Sequence, residues 1–156
     1  MSLSTAARLL RTARHATAFT GAGISVESGI PPFRGAEGLW SRYDPQCLDI
    51  GYFHAHPVEA WRVIKEIFYD FFGAARPNDA HRALAVLEQE GIIRATITQN
   101  IDNLHQEAGS HTVYEFHGNS RQLLCLGCGT RTPASAVPLE ALPPRCACGG
   151  DRKSVV

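Results

Sequence analysis

Residues 16–25 read Ala16-Thr17-Ala18-Phe19-Thr20-Gly21-Ala22-Gly23-Ile24-Ser25. The first five form a short apolar run and the rest a tight glycine turn. That is the pattern of a buried strand opening into a cleft. Glycines at such a turn permit positive φ and let a backbone come close to a pyrophosphate. The sixth residue from Gly21 is Val26, so the full Gly-x-Gly-x-x-Gly spacing is not met. A strand-to-helix turn without a ligand reads equally well from these residues.

The next segment adds chemistry to the turn. Ser28-Gly29-Ile30-Pro31-Pro32-Phe33-Arg34-Gly35 is loop-forming and carries one aromatic ring and one guanidinium. A guanidinium pairs with phosphate, and a ring shields a reactive carbon from water. A surface loop with one buried Phe is the plainer reading.

Beyond the loop, helices and strands alternate. Trp61, Ile64, Phe68, Phe71 and Phe72 have the spacing of one helical face. Asp79 is placed to cap the next helix, with Ala80, Ala83, Leu84 and Leu87 as its apolar face and Gly91 as its stop. Residues 92–98 (IIRATIT) read as a strand. A short helix is expected over Leu104–Ala108, ended by Gly109, and a further strand over Val113–Phe116. This alternation implies an α/β fold with a doubly wound parallel sheet. Upstream, Leu3, Ala6, Ala7 and Leu10 have helical spacing. Arg8, Arg11 and Arg14 without an acid resemble a transit peptide faintly, but a first helix of the fold accounts for them better.

Composition bounds the rest. The chain has 156 residues, with fifteen Lys+Arg against fifteen Asp+Glu, and is 44% hydrophobic and 19% charged. These values suit one soluble globular domain and argue against a general nucleic-acid footprint. No apolar run approaches the ~18 residues of a membrane span.

Two further clusters carry chemistry. Thr98-Gln99-Asn100-Ile101-Asp102-Asn103-Leu104-His105 gathers hydrogen-bonding side chains where a strand ends, which is where open α/β sheets bind ligands. A helix cap explains Asp102 or Asn103 alone, but less readily the whole cluster. Among seven histidines, His81 is best read as capping or packing a helix start. His117 follows a strand and precedes Gly118-Asn119, the setting of a candidate general base.

Cys125-x-x-Cys128 and Cys146-x-Cys148 flank residues 129–145, with glycines at 127, 129, 149 and 150. Two such turns place four thiolates around one tetrahedral zinc at roughly 2.3 Å. A closed set of four leaves no open position, so this metal would be structural. Tight pairs without a secretion signal suit metal more than disulfides and point to a reducing cytoplasm. Cys47 is expected as a small buried hydrophobe. Arg121, Arg131, Arg145, Arg152 and Lys153 are expected as a solvated basic face.

Taken in order, GAGISVESGIPPFRG (21–35), TQNIDNLH (98–105), HGN (117–119) and the four cysteines followed by Gly-Gly resemble the sirtuin family of NAD-dependent protein deacylases. The resemblance runs from about residue 5 to the last residue. It implies that Ala22, Ile24, Asn100, Ile101 and Asp102 line a nicotinamide and ribose pocket. It implies that Gly21, Gly23, Phe33 and Arg34 belong to the cofactor loop, that Gln99 bonds the ribose and that His117 is the general base. The substrate would be an acyl-lysine protein or peptide, and the products free lysine, nicotinamide and acyl-ADP-ribose.

Departures qualify the match. Pro32 stands where many family deacetylases carry Asp. Tyr69-x-x-Phe72 lacks the arginine of members that prefer acidic acyl groups. After the zinc module the family returns to its sheet, whereas Ser154-Val155-Val156 is as far as this sequence runs. The expected fold is therefore a partial Rossmann-like sheet with a small zinc-ribbon module. Residues 1–120 would form the N-terminal part of the NAD-binding domain, 121–153 the zinc module and 154–156 the start of a return strand. Exposed strand edges and marginal solubility or oligomerisation follow from that expectation. A zinc-stabilised binding module without catalysis, and an NAD-cleaving or ADP-ribosyl-transferring variant, are the other readings.

Overall fold

The computed structural model describes residues 2–155. Met1 and Val156, the outer members of the expected 1–120 and 154–156 segments, lie outside the described residues. Ser2 starts helix α1 (Leu3–Thr12) by accepting the Thr5 N–H at 3.3 Å. None of its residues is buried, and Leu3 is 91% exposed.

Strand β1 (Thr17–Thr20) follows and runs into a 3₁₀ turn over Ala22–Ser28. Beyond the loop come α2 (Ile50–Ala55) and α3 (Pro57–Lys65), a π-helical turn over Glu66–Phe71, then α4 (Phe72–Ala74) and α5 (Asp79–Gln89). Strand β2 (Ala95–Thr98), α6 (Leu104–Glu107) and β3 (Val113–Glu115) complete the first layer. Strands β1, β2 and β3 form a parallel sheet in that spatial order. Helices between parallel strands and this order bear out the expected α/β class.

A second, antiparallel sheet is built from β4 (Asn119–Cys125), β5 (Arg131–Pro133) and β6 (Arg152–Val155), with β4 in the middle. Ser154 and Val155 thus pair back onto β4, Ser154 opposite Leu123 and Val155 opposite Asn119.

The main core lies between the helical layer and this second sheet, where Phe53, Trp61, Ile64, Ile67, Phe68 and Phe72 pack with Leu104 and Leu123. The parallel sheet is covered unevenly: β1, expected as a buried strand, is an edge strand of this sheet and none of its residues is buried. Register places Phe19, Ile97 and Tyr114 side by side on one face, where Phe19 is 65% and Tyr114 61% exposed.

Several local expectations are corrected. Phe71 is 41% exposed, and Ile67 takes its place in the core. The π turn inserts an extra residue into the helical repeat and rotates everything after it. The cap of α5 is Asn78, not Asp79: its side chain accepts the N–H groups of Ala80 and His81 at 3.0 and 3.3 Å. The buried face of α5 is His81 and Ala85, whereas Ala80 and Ala83 are exposed. The strand expected over 92–98 begins at Ala95, and Phe116 lies beyond β3, exposed. Cys47 is only half-buried. The basic face is smaller than expected: Arg152 and Lys153 are buried, whereas Arg121, Arg131 and Arg145 are exposed, with Arg121 and Arg145 paired to Glu115 and Asp151 at 2.7 Å. Among the described residues no helix is long and apolar enough to cross a membrane.

Candidate functional site

The strand ends of β1 and β2 lie side by side, so the glycine turn and the polar run after Thr98 meet. Between them and the helical layer is a cavity of about 200 Å³. Its walls include Ala22, Phe33, Gln99, Asn100, Ile101, Asp102 and His117 from the expected set. Gly21, Gly23, Ile24 and Arg34 are not among them, and the Arg34 side chain lies in an exposed position. Gly21 still serves the site, because its carbonyl accepts the Asn100 side-chain N–H at 3.1 Å. The cavity also takes in residues that sequence reasoning did not assign to the site: Ser25, Ile30, Trp40 and Leu48, together with Phe68 and Phe72, expected only as part of an apolar helical face.

The polar end is fixed by a buried network. Ser25 is fully buried and donates its hydroxyl to Asp102 Oδ2 at 2.7 Å. The second carboxylate oxygen accepts the Leu104 N–H at 3.1 Å. Asn100 Nδ2 donates to Ser25 Oγ at 3.1 Å as well as to Gly21. Behind Ser25 stands His81, its Nε2 3.5 Å from Ser25 Oγ, the outer limit of a hydrogen bond. The Asn78 N–H reaches His81 Nδ1 at 3.4 Å, which completes a capping box, and the same nitrogen lies 3.0 Å from Asn78 Oδ1. A carboxylate with one hydroxyl and one amide donor stays put, and so does the Asn100 carboxamide beside it.

Burial keeps the imidazoles behind this network neutral. Desolvation lowers His81, against the opposing pull of Asp102. Desolvation, aided by His81, pushes His105 down to about 4. The two rings meet edge to face at 4.9 Å, and His105 Nε2 lies 2.8 Å from Thr20 Oγ1 at the end of β1. The signal for His81 was its place three residues after Asn78. The signal for Ser25 was its helical offset behind the glycine turn, which spacing alone does not distinguish from a cap.

His117 is exposed and borders two spaces at once. One is the cavity just described. The other is an open groove of about 680 Å³ between Leu48–Ile50 and the antiparallel sheet, walled by Leu124, Leu126, Ser154 and Val155.

The metal centre is compact. The four sulfur atoms of Cys125, Cys128, Cys146 and Cys148 all lie within 4.8 Å of one another. Cys125 to Cys148 is 3.5 Å and Cys128 to Cys146 is 3.8 Å. A tetrahedron with zinc–sulfur bonds of about 2.3 Å has edges of about 3.8 Å, so the set fits one zinc ion. Hydrogen bonding from Thr130 pulls the Cys128 thiol down to about 6, toward the thiolate a metal needs. Gly150 is required by the packing: a Cβ there would sit 2.9 Å from Cys125 Sγ.

Comparison with known proteins places this geometry in context. The family model described as the Sir2 family matches residues 21–154. An NAD-dependent protein deacetylase of Sulfurisphaera tokodaii is 50% identical over 146 residues, spanning 91% of this chain and 58% of that protein. An NAD-dependent protein deacylase of Aeropyrum pernix is 47% identical over 152 residues, spanning 92% and 59%. The chain therefore spans about three fifths of the length of the curated relatives it matches. Among solved structures, a Sir2–p53 peptide–NAD+ complex superimposes with a TM-score of 0.89 at 39% identity, covering 99% of this chain and 63% of that one. Sir2Tm bound to a propionylated peptide gives 0.88 at 38% identity, covering 100% and 63%.

Proposed function

The chain belongs to the Sir2 family, and from that premise we propose that it carries the cofactor-cleaving centre of an NAD-dependent protein lysine deacetylase or deacylase. The observation that carries the reading is the position of His117 on the walls of both the cavity and the wider groove. A reaction that joins a nucleotide to an acyl-lysine needs two such spaces with one proton acceptor between them.

The cavity fits a nicotinamide. Ala22, Ile30 and Phe33 give apolar walls, and Ser25, Asn100 and Asp102 give a fixed polar end. When bound, NAD supplies a labile bond between nicotinamide and ribose. The apolar walls exclude water from that bond. Asn100 and Asp102, held by Ser25, orient the carboxamide end, with Ile24 and Ile101 as neighbours. Gln99, on the cavity wall, would bond the ribose. Gly21, Gly23, Phe33 and Arg34 form the loop over the cofactor. With NAD bound, His117 would accept a proton from a ribose hydroxyl, and Leu124, Leu126 and Val155 would receive the aliphatic stem of an acyl-lysine protein or peptide. Cys125, Cys128, Cys146 and Cys148 hold one structural zinc.

The division into residues 1–120, 121–153 and 154–156, a cytoplasmic location and the absence of a nucleic-acid or membrane partner belong to the same proposal. They rest on composition and on the cysteine pairs.

Calorimetric titration of the chain with NAD+, with zinc measured on the same sample, tests the reading. Saturable binding is expected, weakened by Asn100→Ala and unchanged by His117→Ala, which in turn abolishes deacylation. A folded, zinc-loaded chain that takes up no NAD+ overturns the proposal in favour of a zinc-stabilised binding module. Free ADP-ribose as the product, in place of acyl-ADP-ribose, would instead assign the NAD-cleaving variant.

A further inference from the structure

The loop over the cavity is folded back on itself. The Leu39 N–H donates to the Pro32 carbonyl at 2.9 Å, and the Trp40 N–H donates to the Phe33 carbonyl at 3.0 Å. The Gly38 N–H closes the turn onto the Gly35 carbonyl at 3.0 Å. Leu39, 2% exposed, anchors the returning limb in the core. The next residue, Trp40, then lies against Phe33 with ring centroids 5.1 Å apart and planes tilted by 36°. Both rings are walls of the cavity.

The turn allows no side chain at its tightest point. A Cβ on Gly38 would sit 2.7 Å from the Arg34 carbonyl carbon and 2.8 Å from the Phe33 carbonyl oxygen. Both are backbone atoms of the facing limb and do not move aside as a side chain would. Any residue but glycine at 38 therefore pries the two limbs apart and with them the two rings.

We infer that Trp40 is a positioning residue that holds Phe33 over the nicotinamide end of the cavity, and that the Gly38 turn exists to deliver it there. Phe33 is half-buried against the edge of the core and has no other ring within stacking distance among the described residues, so Trp40 supplies the aromatic contact that restrains its ring. An aromatic pair adds to the burial of its members and restricts both rings. The inference rests on the reading that the cavity takes nicotinamide.

The chain holds two tryptophans, Trp40 and Trp61. Trp61 is wholly buried elsewhere in the core, so a change in tryptophan emission on ligand binding reports on Trp40. NAD+ is expected to quench that emission in the unaltered chain. Trp40→Ala should weaken NAD+ binding by roughly three- to tenfold, with ADP-ribose, which lacks the nicotinamide, bound as before. Trp40→Phe should restore NAD+ affinity while the quench disappears. Gly38→Ala should reproduce the Trp40→Ala pattern with the tryptophan still present.

Equal losses for NAD+ and ADP-ribose would mark a general folding defect and overturn the inference, as would full NAD+ affinity in Trp40→Ala. Phe33→Ala supplies a readout free of cofactor. It should shift Trp40 emission to the red, and an unshifted spectrum means that the rings are not paired. If NAD+ leaves the unaltered chain unaffected, the functional reading falls, and the Phe33→Ala spectrum still decides the pairing.

Discussion

The indole N–H of Trp61 donates to the backbone carbonyl of Arg152 at 2.6 Å, across ninety-one positions of sequence. Both residues are buried. The bond ties α3 to β6, and so ties the helical layer to the sheet that carries the metal site.

Trp61→Phe keeps most of the apolar bulk and removes the donor. The Arg152 carbonyl then stays buried without its partner, which costs about 1–3 kcal/mol. The melting temperature should fall by roughly 2–10 °C for a domain of this size. Calorimetric melting checks it, and an unchanged midpoint would mean that the bond carries no net stability.

Ser25→Ala removes the hydroxyl that Asp102 and Asn100 share. A buried carboxylate loses a donor, at a cost of about 1–3 kcal/mol. NAD+ affinity should fall together with stability, because the same hydroxyl sets both cavity groups. Loss of stability with full NAD+ affinity would separate the network from the cofactor.

Acid should destabilise the fold through the two inner histidines. Both have folded-state values lowered by burial, His105 to about 4 from 6.5. In the unfolded chain they protonate below about 6.5. Their neutral forms therefore support the fold fully above that pH, and the support is lost progressively as pH falls toward 4. Melting temperatures recorded from pH 7 to pH 4 should show this decline, and His105→Gln should flatten it. A slope that is the same in the variant would place the acid sensitivity elsewhere.

The metal site offers a graded pair of variants. Cys146→Ser removes one of four ligands and should release zinc and unfold the module around it. Gly150→Ala keeps every ligand but forces a methyl group toward Cys125 Sγ. It should retain zinc and lose it earlier on titration with a chelator. Zinc kept at full stoichiometry in Cys146→Ser would dismiss the ligand set.

The parts that could be read from sequence were those whose chemistry is local. The strand entering Gly21, the polar run after Thr98 and the two cysteine pairs needed only spacing, and all stand at the expected positions, although the strand itself is not buried. What escaped were features set by phase and by distant partners. An α-helical period placed Phe71 in the core, and the π turn at Glu66–Phe71 moved it out. Spacing points to Asp79 as the cap, whereas Asn78 takes that place with its side chain also donating to the Ile24 carbonyl and to Ser28 Oγ. His81 is buried because Ser25 lies behind it, a contact across fifty-six residues that no window along the chain contains. Trp40 joins Phe33 only because Gly38 folds the loop back.

The row of Phe19, Ile97 and Tyr114 along the open side of the parallel sheet has a bearing on the bench. Three neighbouring apolar side chains on a flat surface make a ready seat for an immobilised phenyl group, and the more so as sulfate strengthens apolar association. The chain should therefore bind a phenyl column firmly in ammonium sulfate and elute late as the salt is withdrawn. Its preparation calls for dilute, low-sulfate buffers through every concentration step.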